Sequence, residues 1–155
     1  MAKKGRGSSV KNGLEMIGVS DLLKKIEAAG GNINQAVQKA VDRSLEQVGM
    51  KMQLFMQEHR LTGETYRSFE QRPAKESKTV KVGKEKYNVK DGVTGIVGYS
   101  VKEGGLPAVF LDVGAPNRAP NYTAYYFRYY AIENSRKQIE EIQRATLNEI
   151  LEGLK

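Results

Sequence analysis

The chain has 155 residues, 39% hydrophobic and 28% charged, with no cysteine and a formal net charge of +7. A chain this long can bury roughly 70% of the surface its unfolded form exposes, enough for one lean core. The lack of cysteine excludes a disulfide framework, a thiolate metal site and a thiol nucleophile. No apolar run nears the ~18 residues needed to span a bilayer, and the basic opening MAKKGRGSSVKNG lacks the apolar stretch of a secretory signal. The excess charge is concentrated in two places. Lys3, Lys4, Arg6 and Lys11 give residues 1–14 a charge of +4; Arg72 and six lysines against Glu76 and Glu85 give residues 72–90 a charge of +5, leaving −2 for the rest. Such segments attract phosphate backbones or acidic protein faces, and the plainer reading is a solvated surface.

Residues 1–16 are rich in glycine, serine and lysine. That composition cannot offset the entropy of ordering, so a flexible basic arm is expected ahead of a single α+β domain over 17–155. Ser20 can cap a short helix carrying Leu22, Leu23 and Ile26, which Gly30-Gly31 ends. Ile33, Val37, Val41, Leu45, Val48, Met52 and Phe55 then recur at steps of three and four, predicting a long helix capped by Asn32 or Asn34 and ending near His59-Arg60. Ala36, Ala40 and Ser44 flank that stripe and allow close approach of another element. Thr62 can cap a second, short helix, with Gly63 making the sharp break and Leu61, Tyr66 and Phe69 as anchors.

Beyond Pro73 the period changes. Thr79–Val82 and Val93–Tyr99 read as a pair of strands, joined by a polar connection whose lysines mark a hairpin tip or an edge. Gly104-Gly105 breaks the chain, and the apolar run from Leu106 to Gly114 fits a short helix or a strand equally. A proline- and asparagine-rich loop comes next. From Tyr122 the helical period runs nearly to the end, with Phe127, Ala131, Gln138, Ile142, Ala145 and Glu149 near one line. The pattern predicts an α+β fold: a small antiparallel sheet packed against a long helix in the front half and a long C-terminal helix.

The catalytic inventory is thin. His59 is the lone histidine and sits at a predicted helix end, where the dipole favours it structurally. Gly5-Arg6-Gly7 follows no strand and precedes no Gly-Lys-Ser/Thr, so it is not a phosphate loop. Glu140-Glu141 lie among Lys137 and Arg144 as a surface ion-pair pattern. No enzyme activity, cofactor, metal site or small-molecule substrate is expected. Six of the twelve Tyr and Phe residues fall between Tyr122 and Tyr130. Tyr125, Tyr126, Tyr129 and Tyr130 read as part core and part subunit interface. The rival is a base-stacking platform in a nucleic-acid-binding module, with Arg128 holding phosphate and the basic arm assisting.

The order of elements carries a resemblance. Thr62, Gly63 and Ser68, with Tyr66 near a leucine position, are similar to a Thr-Gly-X-Leu-X-X-Ser motif. Pro107–Ala115 is similar to Tyr-Ala-X-Phe-X-Glu-Phe-Gly-Thr, keeping Ala108, Phe110 and Gly114 and placing Asp112 at the glutamate. Arg118-Ala-Pro120 and Ala131 resemble the proline-rich segment after it. With these motifs the chain resembles the neck or minor tail-component family of siphophages, the head–tail joining and tail-completion proteins. The resemblance implies a virion protein assembled in the host cytoplasm as a ring, hexameric by the tail's symmetry. Its partners would be further copies of itself, the tail tube or tail terminator, and the head-side connector; the family has no catalytic residues. Lys3, Lys4, Arg6, Lys11, Lys81, Lys84 and Lys86 are candidate contacts to genomic DNA, without sequence preference, or to acidic partner faces. No membrane is involved in this reading.

Overall fold

The computed structural model describes residues 18–59, 63–76, 79–82, 85–88, 93–114 and 125–155. The basic arm with Lys3, Lys4, Arg6 and Lys11, and also Thr62 and Lys84, lie outside the described residues. Six helices are described: α1 (Ser20–Ala28), α2 (Ile33–Glu58), α3 (Glu64–Arg67), α4 (Leu106–Val113), α5 (Phe127–Glu133) and α6 (Arg136–Gly153). Four strands accompany them: β1 (Phe69–Glu76), β2 (Thr79–Val82), β3 (Glu85–Asn88) and β4 (Val93–Tyr99). The class is α+β, with a long helix in each half and antiparallel strand pairing. Contacts gather into two compact units, a terminal unit (residues 18–47, 71–97 and 137–155) and a middle unit (residues 48–70 and 98–136).

In the terminal unit, α1 starts one residue earlier than a Ser20 cap would require: Val19 holds the cap position and no side chain caps the helix. Asp21 in the first turn suits the positive end of the helix dipole instead. The cap of α2 is Asn32, whose Oδ1 accepts the Gln35 amide at 3.1 Å. Val19, Ile26, Ala36, Ala40 and Leu147 form one core, with Leu22, Leu23, Ile150 and Leu151 packed on it. Burying Ile26 and Leu147 completely contributes about 1.5–3 kcal/mol each. The covered line of α2 runs through Ala36, Ala40 and Ser44, the small residues, while Val37, Val41 and Leu45 are only half-buried. Small side chains let α6 approach closely, and the larger aliphatics then fill the flanks. Within this contact Gln143 Nε2 donates to Ser44 Oγ at 3.2 Å, and Ser44 Oγ donates to the Ala40 carbonyl at 2.8 Å, so the buried polar pair is satisfied.

The strands differ from the sequence pairing. β2 pairs with β3, and β4 pairs with β1, as two separate two-stranded ladders. β1 is not legible in the sequence because Pro73 and five charged or amide residues interrupt it. A proline fits a strand whose outer side has no ladder partner. Next to it the Ala74 amide donates to Asp42 Oδ1 at 2.6 Å, which ties β1 to α2.

In the middle unit, Gly63 takes φ +86 and itself caps α3, the place expected for Thr62. The helix predicted from Tyr122 onward is two helices. It breaks at Asn134-Ser135, where the freed Asn134 carbonyl accepts Lys51 Nζ at 2.7 Å. After the break the buried residues of α6 are Ile139, Gln143, Thr146 and Leu147, whereas Gln138, Ala145 and Glu149 face solvent. The interior of this unit is a run of rings. Phe127 stacks on Phe55 (4.8 Å), Phe55 on His59 (4.1 Å), and Tyr99 meets both Phe127 and Phe69 edge-on. Burial pushes the Tyr99 hydroxyl above its ordinary range, and it donates to the Met52 carbonyl at 3.0 Å.

Candidate assembly surface

The two motif segments that carry the family resemblance come together in the middle unit. α3 ends at Ser68, which is buried; its Oγ donates to the Thr65 carbonyl at 2.7 Å and its carbonyl accepts the Ser100 amide at 2.8 Å. Thr65 Oγ1 donates to the Gly104 carbonyl at 3.1 Å. Gly105 packs so tightly that a Cβ there would stand 2.8 Å from Ser68 Oγ and 2.5 Å from the Ser100 carbonyl oxygen. Only glycine allows this approach, so the entry to α4 is fixed against the end of α3. Tyr66 is half-buried on α3, and an open cleft of about 570 Å³ is lined by Glu64 and Arg67 of the same helix, with Ser68, Glu70, Lys102 and Glu103.

α4 reads Leu-Pro-Ala-Val-Phe-Leu-Asp-Val, with Pro107 in its first turn, where a proline costs no hydrogen bond. The ambiguity between helix and strand is resolved by that proline and the glycines before it. Ala108 and Asp112, four residues apart, are the buried pair, with Phe110 half-buried. Leu106, Val109 and Val113 occupy another face and remain 48%, 38% and 50% exposed. Gly114 leaves the helix with φ +75 while its amide donates to the Phe110 carbonyl at 2.7 Å.

Asp112 organises the turn into α5. Its carboxylate accepts the Arg128 amide (3.1 Å), Arg128 Nε (2.8 Å) and Arg128 Nη2 (2.7 Å). Its carbonyl accepts the Tyr126 amide at 2.9 Å, and the Leu111 carbonyl accepts the Tyr125 amide at 2.9 Å. These bonds hold Tyr126 at φ +51, the left-handed conformation that bulky residues avoid, at the cap of α5. Of the aromatic cluster, Phe127 goes into the core. Tyr125, Tyr126, Tyr129 and Tyr130 stay 42% to 53% exposed, although Tyr125 also meets Phe55 and His59.

Met50 and Leu54, one turn apart on α2, are likewise exposed. Residues 76–92 apart, every strongly exposed large apolar side chain of the described residues except Leu154 belongs to the middle unit. The sequence pattern does not single out Met50, Leu54, Leu106 or Val113. A signal is nevertheless present in α4, because a helix with one polar residue in eight must expose apolar atoms if only one face is covered. Arg128, the phosphate contact of the rival reading, is ion-paired with Asp112, and its side chain stays 44% exposed.

In the terminal unit Lys81 stands directly opposite Lys86 across the β2–β3 ladder. Among the described residues no group of three or more His, Cys, Asp or Glu can hold a metal ion, and no helix is long and apolar enough to cross a membrane. Comparisons with family models, curated proteins and solved structures find no match to this chain.

Proposed function

We propose that the chain is a structural, non-enzymatic subunit of a long-tailed phage virion, acting at the neck or in tail completion. One observation carries the reading: the middle unit presents aliphatic side chains of α4, tyrosines of α5 and the Met50–Leu54 pair to the outside. Exposed apolar surface of this kind marks protein contacts rather than solvated faces, and tyrosine adds large contact area with a polar tip. The motif residues Gly63, Ser68, Ala108, Asp112 and Gly114 support it by setting the local geometry of that unit. In this role copies associate head-to-tail into a closed ring on the tail axis, hexameric by the tail's symmetry, between the tail tube or terminator and the head-side connector.

Electron microscopy of virions labelled with an antibody to the chain tests the place, and signal at the head–tail junction is the expected result. Val109→Asp tests the surface. It should change folding stability by less than about 0.5 kcal/mol, as surface substitutions do, while abolishing self-association in sedimentation. Particles without label would sink the reading, and so would a Val109→Asp protein that associates as the wild type does.

A further inference from the structure

Among the described residues β4 pairs with β1 alone, so one edge of β4 is open. The far side of β1 is closed to a further strand. Pro73 has no amide to give, and the Ala74 amide goes to Asp42 Oδ1 at 2.6 Å. β4 has neither device: Val93–Tyr99 holds no proline and no charged residue, and Val93, Thr94, Ile96 and Val97 are β-branched. Charge and proline are what strands use to blunt a free edge, so β4 is left as a template for pairing. Gly95 seats the strand on α2, since a Cβ there would collide with the Leu45 side chain. Around α2, Leu45 lies about 60° from Asp42 and Val41 about 100° in the same sense. A strand added outside β4 therefore runs over Val41, which is half-buried.

We propose that β4 takes a further strand by edge addition, supplied by an extended acidic segment of another protein. The segment is uncharged where it follows β4, because β4 offers it no counter-charge. Beyond β4 it is acidic, because residues 72–90 carry a charge of +5. A second copy of this chain fits less well, since pairing β4 with β4 brings two such +5 segments into one sheet, where they repel. The proposal stands apart from the neck assignment, which rests on the middle unit, and either can fail without the other.

The test is hydrogen exchange of the full chain with the peptide Glu-Glu-Val-Thr-Val-Thr-Val-Glu-Glu. At about ten times its Kd, the amides over 93–97 that β1 leaves unpaired should exchange about tenfold more slowly. Proline at the three central positions of the peptide should abolish the protection, because no strand is then left to add. Lysine in place of the glutamates should weaken binding roughly tenfold or more. Exchange that is unchanged in β4, or slowed only elsewhere, overturns the proposal. Equal protection by the proline peptide overturns it too, since charge attraction alone would then be at work. Equal binding of the lysine peptide removes the acidic partner. A Val109→Asp protein that sediments as a dimer, with its β4 amides already protected, gives the edge to a second copy and overturns a foreign partner.

Discussion

The two units use opposite chemistry inside and out. In the terminal unit, α2 and α6 meet through alanine, serine and aliphatic side chains, and much of what faces water is charged and paired. Lys39 and Arg43 hold Glu149 at 3.0 and 2.7 Å, and Lys155 holds Glu152 at 2.6 Å. In the middle unit the interior is aromatic rings and the methionines Met52 and Met56, while large apolar side chains remain outside. The first unit has matched its surface to solvent. The second has apolar surface left over, which under the proposed function is what assembly would bury.

The largest test of that contrast is Leu147→Ala, which empties a fully buried position in the terminal unit. It should cost about 3 kcal/mol in urea denaturation, with the tyrosine-rich surface still competent for association. A cost below about 1 kcal/mol would show that the close helix contact is not where the stability of this unit lies. Asp112→Ala in the middle unit comes next, at about 2 kcal/mol. It removes the acceptor of three Arg128 groups, and the loss is less than that of a fully buried pair because the Arg128 side chain is partly in solvent. Near-ultraviolet circular dichroism should change with it, since Tyr125 and Tyr126 depend on the same turn. The smallest effect is electrostatic. Hydrogen bonds from Arg43, then from Lys39, pull the Glu149 carboxyl down to about 2. A lowered folded value contributes stability that is present above the ordinary carboxylate range and lost as pH falls toward about 2. Glu149→Gln should flatten that loss slightly, and added salt should flatten it in the wild type, because the pair is exposed.

Local signals are legible wherever one residue carries the geometry. The Asn32 cap, the Gly63 break and the acid–X–Gly ending at Asp112 and Gly114 can all be read from a few neighbouring residues. What stays hidden is whatever depends on distance. Hydropathy places the large aliphatics on the inner line of α2, whereas the separation from α6 puts the alanines there. β1 carries Pro73 and charges, and it is a strand because β4 and Asp42 supply partners from elsewhere in the chain. The break at Asn134-Ser135 has no glycine or proline to announce it, and its exposed carbonyl is answered by Lys51, 83 positions away. The pairing of Asp112 with Arg128 spans 16 positions and is equally hidden. Which apolar residues remain outside is a property of the packed molecule, so the candidate surface emerges only with it.

The Asp112 knot also has a bearing on how this unit opens. It fastens the exit of α4 to the entry of α5 through one side chain. Local opening there frees two helix ends at once, so the amides of both should lose hydrogen-exchange protection together rather than one after the other.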